Sequence, residues 1–147
     1  PPLALGILVI LIGAPLSAWG YGDSAILAAV VGVSVCVLLV GLGLSSIISA
    51  GFPYPAVHPG DSPFAQPQSS ATGASWVQGL SLIGVFAISS PAVYLGVLGV
   101  LEGGDWNIAA LLVGVAIGLV AVVGGVLLGG MIFDRRAPEL LAFTSRY

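Results

Sequence analysis

The sequence predicts an all-α membrane protein: four transmembrane helices joined by two tight turns and one long proline-rich loop. Three observations carry this expectation. Only 6% of the 147 residues are charged and the mean hydropathy is +1.15, whereas a soluble domain has roughly 25% charged residues. Four runs, 3–19, 25–48, 76–101 and 108–133, contain no Asp, Glu, Lys, Arg or His. The last of these, Ile108 to Phe133, ends abruptly in Asp134-Arg135-Arg136. At about 1.5 Å per residue it makes a helix of about 39 Å, enough to cross a hydrocarbon core of about 30 Å with some tilt.

The first run is shorter, about 25 Å as a helix and near the lower limit for a span. Gly13 and Pro15 lie near its far end, where proline removes a hydrogen bond and is expected to bend or end the helix. Trp19 and Tyr21 then suit the aromatic belt at a membrane surface. Gly20 to Ser24 is too short for anything but a hairpin turn, with Asp23 or Ser24 capping the second helix. That helix carries Ala28, Gly32, Gly41 and Gly43, small residues that let neighbouring backbones approach closely, and Ser45 and Ser46 are placed to bond back to it.

From residue 49 to 75 the composition changes. Pro53, Pro55, Pro59, Pro63 and Pro67, half of the chain's prolines, fall here. No long helix survives that density, so the segment reads as an extended loop with a turn at Pro59-Gly60-Asp61. Ser75-Trp76-Val77-Gln78 has the spacing of a capping box and marks the start of the third helix. Within that helix Pro91 follows Ser89-Ser90, and the freed carbonyl one turn back is one a serine can satisfy. The kink at Pro91 reads as packing ahead of a gate. Glu102 to Asn107 closes a second tight turn, with Asp105 or Asn107 as cap and Trp106 at the interface.

Orientation follows from the basic residues, which are Arg135, Arg136 and Arg146 and nothing else. Arginine near a span end is retained in the cytoplasm. The tail 134–147, the loop 49–75 and the start of the chain are therefore expected inside, and Asp23, Glu102 and Asp105 outside, in a bacterial plasma membrane. The formal charge of −3 comes from acids scattered through short connections, which gives no reason to expect nucleic acid as a partner. The chain opens Pro1-Pro2 without a basic leader, so it reads as a piece of a longer protein.

Few residues suggest chemistry. Cys36 is the single cysteine and lies mid-span, where it reads as a small buried apolar residue. His58 is the single histidine; with Asp61 it lacks the further ligands a metal needs and the oriented partner a nucleophile needs. No catalytic, cofactor or metal site is expected. The clearest pattern is a stripe of small residues on the last helix, Gly114, Gly118, Ala121, Gly125 and Gly129, one face wide. It is read as a helix-packing surface, with a smooth pore wall as the alternative. No phosphate-binding loop is present, since that motif needs a strand-turn-helix setting and a lysine. Nor does any span carry an ionisable group on which a proton or sodium ion might act.

Two stretches carry a family likeness. Pro53-Tyr54-Pro55, followed by Pro59-Gly60-Asp61-Ser62-Pro63-Phe64, and the ending Gly129-Gly130-Met131-Ile132-Phe133-Asp134-Arg135-Arg136-Ala137-Pro138-Glu139-Leu140-Leu141 resemble the C-terminal half of actinobacterial ATP-binding-cassette exporter permeases. The resemblance implies a non-enzymatic, membrane-spanning permease part that forms a translocation path. Its implied partners are a separate nucleotide-binding ATPase subunit and either a second permease copy or the missing N-terminal half. A non-catalytic scaffold subunit of a membrane complex is the alternative, and a membrane-embedded enzyme or channel is the third.

Overall fold

The computed structural model of the chain describes residues 2–52 and 71–144, with side chains described for 2–52 and 75–138. It contains four helices: α1 (Pro2–Tyr21), α2 (Ile26–Gly51), α3 (Ala71–Glu102) and α4 (Asp105–Thr144). All four are long and apolar enough to cross a membrane, which is consistent with a membrane-embedded protein. The expected turn at 59–61 and His58 lie outside the described residues.

Every helix runs past at least one of the limits expected from its apolar run. Pro15 does not end α1, which continues to Tyr21; next to it the Ser17 hydroxyl donates to the Gly13 carbonyl at 2.8 Å. The long connection is shorter than expected, because α2 continues to Gly51 and α3 already begins at Ala71. Ser75 therefore lies inside α3, a turn after its start, and is not its N-cap. The largest departure is α4, whose 40 residues run on through Asp134, Arg135, Arg136 and Pro138. Charge ends the membrane segment without ending the helix, since Arg, Ala, Glu and Leu are all good helix formers in water.

The two tight turns use glycine's freedom to adopt positive φ. Gly22 (φ 80) stops α1, its N–H donating to the Ala18 carbonyl at 3.0 Å. Gly103 (φ 72) stops α3 in the same way on the Gly99 carbonyl, and Gly104 (φ 62) turns the chain into α4. These are left-handed C-caps, which satisfy carbonyls that a helix end would otherwise leave bare. Asp23 accepts the Ala25 N–H at 2.8 Å just ahead of α2, but neither it nor Ser24 caps the helix, whose N-cap position is Ala25 and has no side-chain cap.

Packing centres on α2 and α4, which share the most extensive contact. The third helix lies across both, and α1 rests on α2 alone. Two reversals separate α2 from α4, so they run parallel. Buried positions on α3 are Val85, Ser89, Ala92, Gly96 and Gly99, alternate steps of four and three that make the narrow seam of a coiled-coil-like contact. Cys36 and Val40 of α2 meet Val85 and Ala92 there, with Ile117 and Ala121 of α4 behind them. Cys36 is fully buried and a free thiol.

Candidate functional site

Between lipid-solvated helices there is little hydrophobic force, because acyl chains are as apolar as leucine; van der Waals fit must do the holding. The α2–α4 seam meets that demand with glycine against backbone. A Cβ added at Gly32 would sit 2.6 Å from the Ala110 carbonyl oxygen and 2.7 Å from the Leu111 nitrogen. One added at Gly114 would sit 2.8 Å from the Gly32 carbonyl carbon. Eleven residues further along both helices, about three turns, the pattern recurs. An added Cβ at Gly43 would meet the Ala121 carbonyl carbon at 2.8 Å, and one at Gly125 the Gly43 Cα at 2.5 Å.

Of the stripe's other two glycines, one meets a side chain and the other meets backbone again. Gly118 faces the Leu39 side chain, whose Cβ and Cδ1 would both lie 3.0 Å from an added Cβ. Gly129 faces Ser46, with Oγ at 2.8 Å and the carbonyl oxygen at 2.9 Å. The structure thus brings Gly114, Gly118, Gly125 and Gly129 to one helix, α2. By contrast Gly124 and Gly130, their neighbours in sequence, have nothing within 4 Å of an added Cβ.

Pro91 lies within continuous helix, exposed, and the carbonyl its missing N–H would have bonded is that of Ala87. The Ser90 hydroxyl donates to that carbonyl at 2.7 Å. Ser89, on the opposite side of α3, is fully buried and its hydroxyl has no hydrogen-bond partner. Asn107 is a second buried polar group, 2% exposed, with neither amide atom partnered. It does not cap α4; it sits in the helix's first turn and presses its Oδ1 toward Gly99, where an added Cβ would meet it at 2.6 Å.

Beside the core, α2 and α3 leave an open groove of about 350 Å³. Val30 and Val33 line one wall and Val93, Val97 and Leu101 the other, with Ser34 contributing the single side-chain hydroxyl. At the charged end of the bundle Arg135 and Arg136 are exposed, and Arg136 Nη1 donates to the Gly51 carbonyl oxygen at 2.6 Å. Among the described residues no three His, Cys, Asp or Glu side chains converge. The arrangement holds helices together and offers a carbon-lined surface.

Sequence reasoning named the α4 stripe but not its partner, and it offered Asp105 or Asn107 as the cap of α4. A usable signal existed. Laid on one another without a gap, α2 and α4 share Gly22-Asp23 with Gly104-Asp105, Ile26 with Ile108, Ala28 with Ala110, Val31-Gly32-Val33 with Val113-Gly114-Val115, and Gly43 with Gly125. The glycines that touch are those that correspond. No protein-family model, no curated protein and no solved structure matches the chain.

Proposed function

We propose that this chain is the membrane-spanning part of an ATP-driven exporter, lining the translocation path while a separate ATPase subunit supplies the energy. The observation that carries the reading is α4 itself. It is one unbroken helix of 40 residues, about 60 Å long, where a bilayer core needs about 20 residues. In this reading its arginine end stands clear of the hydrocarbon as a continuation of the same helix, while its other turns are locked to α2 through glycine. A push on the projecting end is passed along that helix into the bundle.

The apolar interior fits this division of labour. A proton- or sodium-driven carrier needs an ionisable ligand at membrane depth, and the four spans supply none. In this reading the arginine end is cytoplasmic, by the retention of basic residues, and the ATPase docks there. The intact permease is expected to co-purify with a nucleotide-binding subunit. Transport into inverted vesicles should require ATP and survive collapse of the proton gradient. Transport that proceeds without ATP and stops when an uncoupler is added refutes the reading.

One observation favours a second reading, a scaffold subunit that transports nothing. Backbone-to-backbone contact along α2 and α4 leaves no aqueous space between them. A scaffold predicts that vesicles bearing the intact complex keep full transport when the α2–α3 groove is filled by Val97→Trp.

A further inference from the structure

We propose that Arg136 is a latch that closes the end of α2 onto α4, and that the last turn of α2 is a separately opening unit beyond the glycine seam. Three observations converge on this. First, the close packing of the seam stops short of the helix end. Ser46 against Gly129 is its last tight contact, whereas Gly51 and Gly130 have nothing within 4 Å of an added Cβ and Ser49 and Phe52 are exposed.

Second, the end of α2 is poorly provided from its own sequence. A helix leaves its last four carbonyls without intrahelical donors and its C-terminus with negative partial charge. No basic residue lies in the last turn of α2. The Phe52 N–H reaches the Ile48 carbonyl at 2.8 Å, but the next residue is Pro53, which has no N–H to give. Third, a donor reaches that end from 85 residues away, as the Arg136 guanidinium on the Gly51 carbonyl. A cation at a helix C-terminus both bonds an orphan carbonyl and opposes the end charge.

The contact is exposed and is one hydrogen bond among the described residues, so it is weak enough to break while the seam stays shut. It also joins the last turn of α2, which is only partly buried and lies beyond the glycine contacts, to the part of α4 that continues past the apolar segment. A ligand or partner that engages the projecting turns and takes up the guanidinium, as a carboxylate or phosphate does, thereby frees the end of α2. The latch stands whether or not the chain belongs to a transporter.

Amide hydrogen exchange on the full chain in lipid nanodiscs tests it. In Arg136→Gln, exchange in peptides covering 47–52 should accelerate about tenfold, the loss of one charge-assisted hydrogen bond, with 32–43 unchanged. Arg135→Gln, which removes the same charge one residue earlier, should exchange as the wild type does. Unchanged exchange over 47–52 in Arg136→Gln, or equal acceleration in Arg135→Gln, overturns the latch. Should Arg136→Gln fail to insert, Arg136→Lys keeps the charge but not the planar Nη1 donor. The same comparison with Arg135→Lys then gives the same two outcomes.

Discussion

Gly125→Ala is the sharpest probe of the seam, because the residue beside it supplies the control. At position 125 the new methyl would lie 2.5 Å from the Gly43 Cα and 2.6 Å from its carbonyl carbon, where carbon atoms prefer about 3.5 to 4.0 Å. Backbone cannot swing aside as a side chain can, so α2 and α4 must part locally by about 1 Å. A gap of that size forfeits a quarter to a half of each contact's dispersion energy over the turns it reaches. Overpacking of this kind costs about 1 to 3 kcal/mol. At Gly124 the same substitution meets nothing within 4 Å and gains helix propensity of roughly 0.5 to 1 kcal/mol. The two neighbouring glycines should therefore differ by about 1.5 to 4 kcal/mol when each is changed to alanine, read as the unfolding midpoint in a denaturing-detergent titration. Gly114→Ala should behave like Gly125→Ala. Gly118→Ala should cost less, since the Leu39 side chain can move, while Gly118→Leu should again destabilise. Equal midpoints for Gly124→Ala and Gly125→Ala would refute the claim that glycine holds the helices together.

Two further outcomes follow from α3 and from the turns. Ser90→Ala should cost about 1 kcal/mol in the native chain but nothing in Pro91→Ala, where the restored N–H takes over the Ala87 carbonyl; additive effects in that double-mutant cycle would show that the hydroxyl serves no such purpose. In a Cys36→Ala background, cysteines at positions 23 and 102 should react with an impermeant reagent from one side of the membrane and a cysteine at 137 only from the other, positions 23 and 102 facing outward in the proposed orientation. Labelling of 23 and 137 from the same side would break the hairpin arrangement.

The four helices were legible because lipid imposes one crude rule, a sustained apolar run, that composition records directly. What lay beyond the lipid was harder to read. At Asp134 the apolar signal stops, yet the backbone hydrogen bonds of α4 need only residues with helical propensity to continue, and 135–144 supplies them. The S-x-x-Q spacing at Ser75 is a local pattern, and a helix already begun at Ala71 makes it irrelevant. Asn107 looked like a cap because Asn often is one. The paired left-handed glycines at 103 and 104 start α4 at Asp105, which turns Asn107 inward. The stripe on α4 was visible as a periodicity, but a periodicity does not name its partner. Its partner was written in the correspondence between Gly32 and Gly114 and between Gly43 and Gly125.

The tight glycine turns shape how the molecule can be handled by others. On the side of Gly22 and Gly103 the chain reverses within a few residues, so the described surface there is nearly flush with the ends of the helices. Among the described residues no helix projects there, and Trp19, Tyr21, Leu101 and Trp106 lie exposed around Asp23, Glu102 and Asp105. On the opposite side α4 juts out by several turns, bearing Arg135 and Arg136. The two ends of the bundle thus differ in kind: helix ends closed by tight turns on one side and, on the other, a helix that continues past its neighbour.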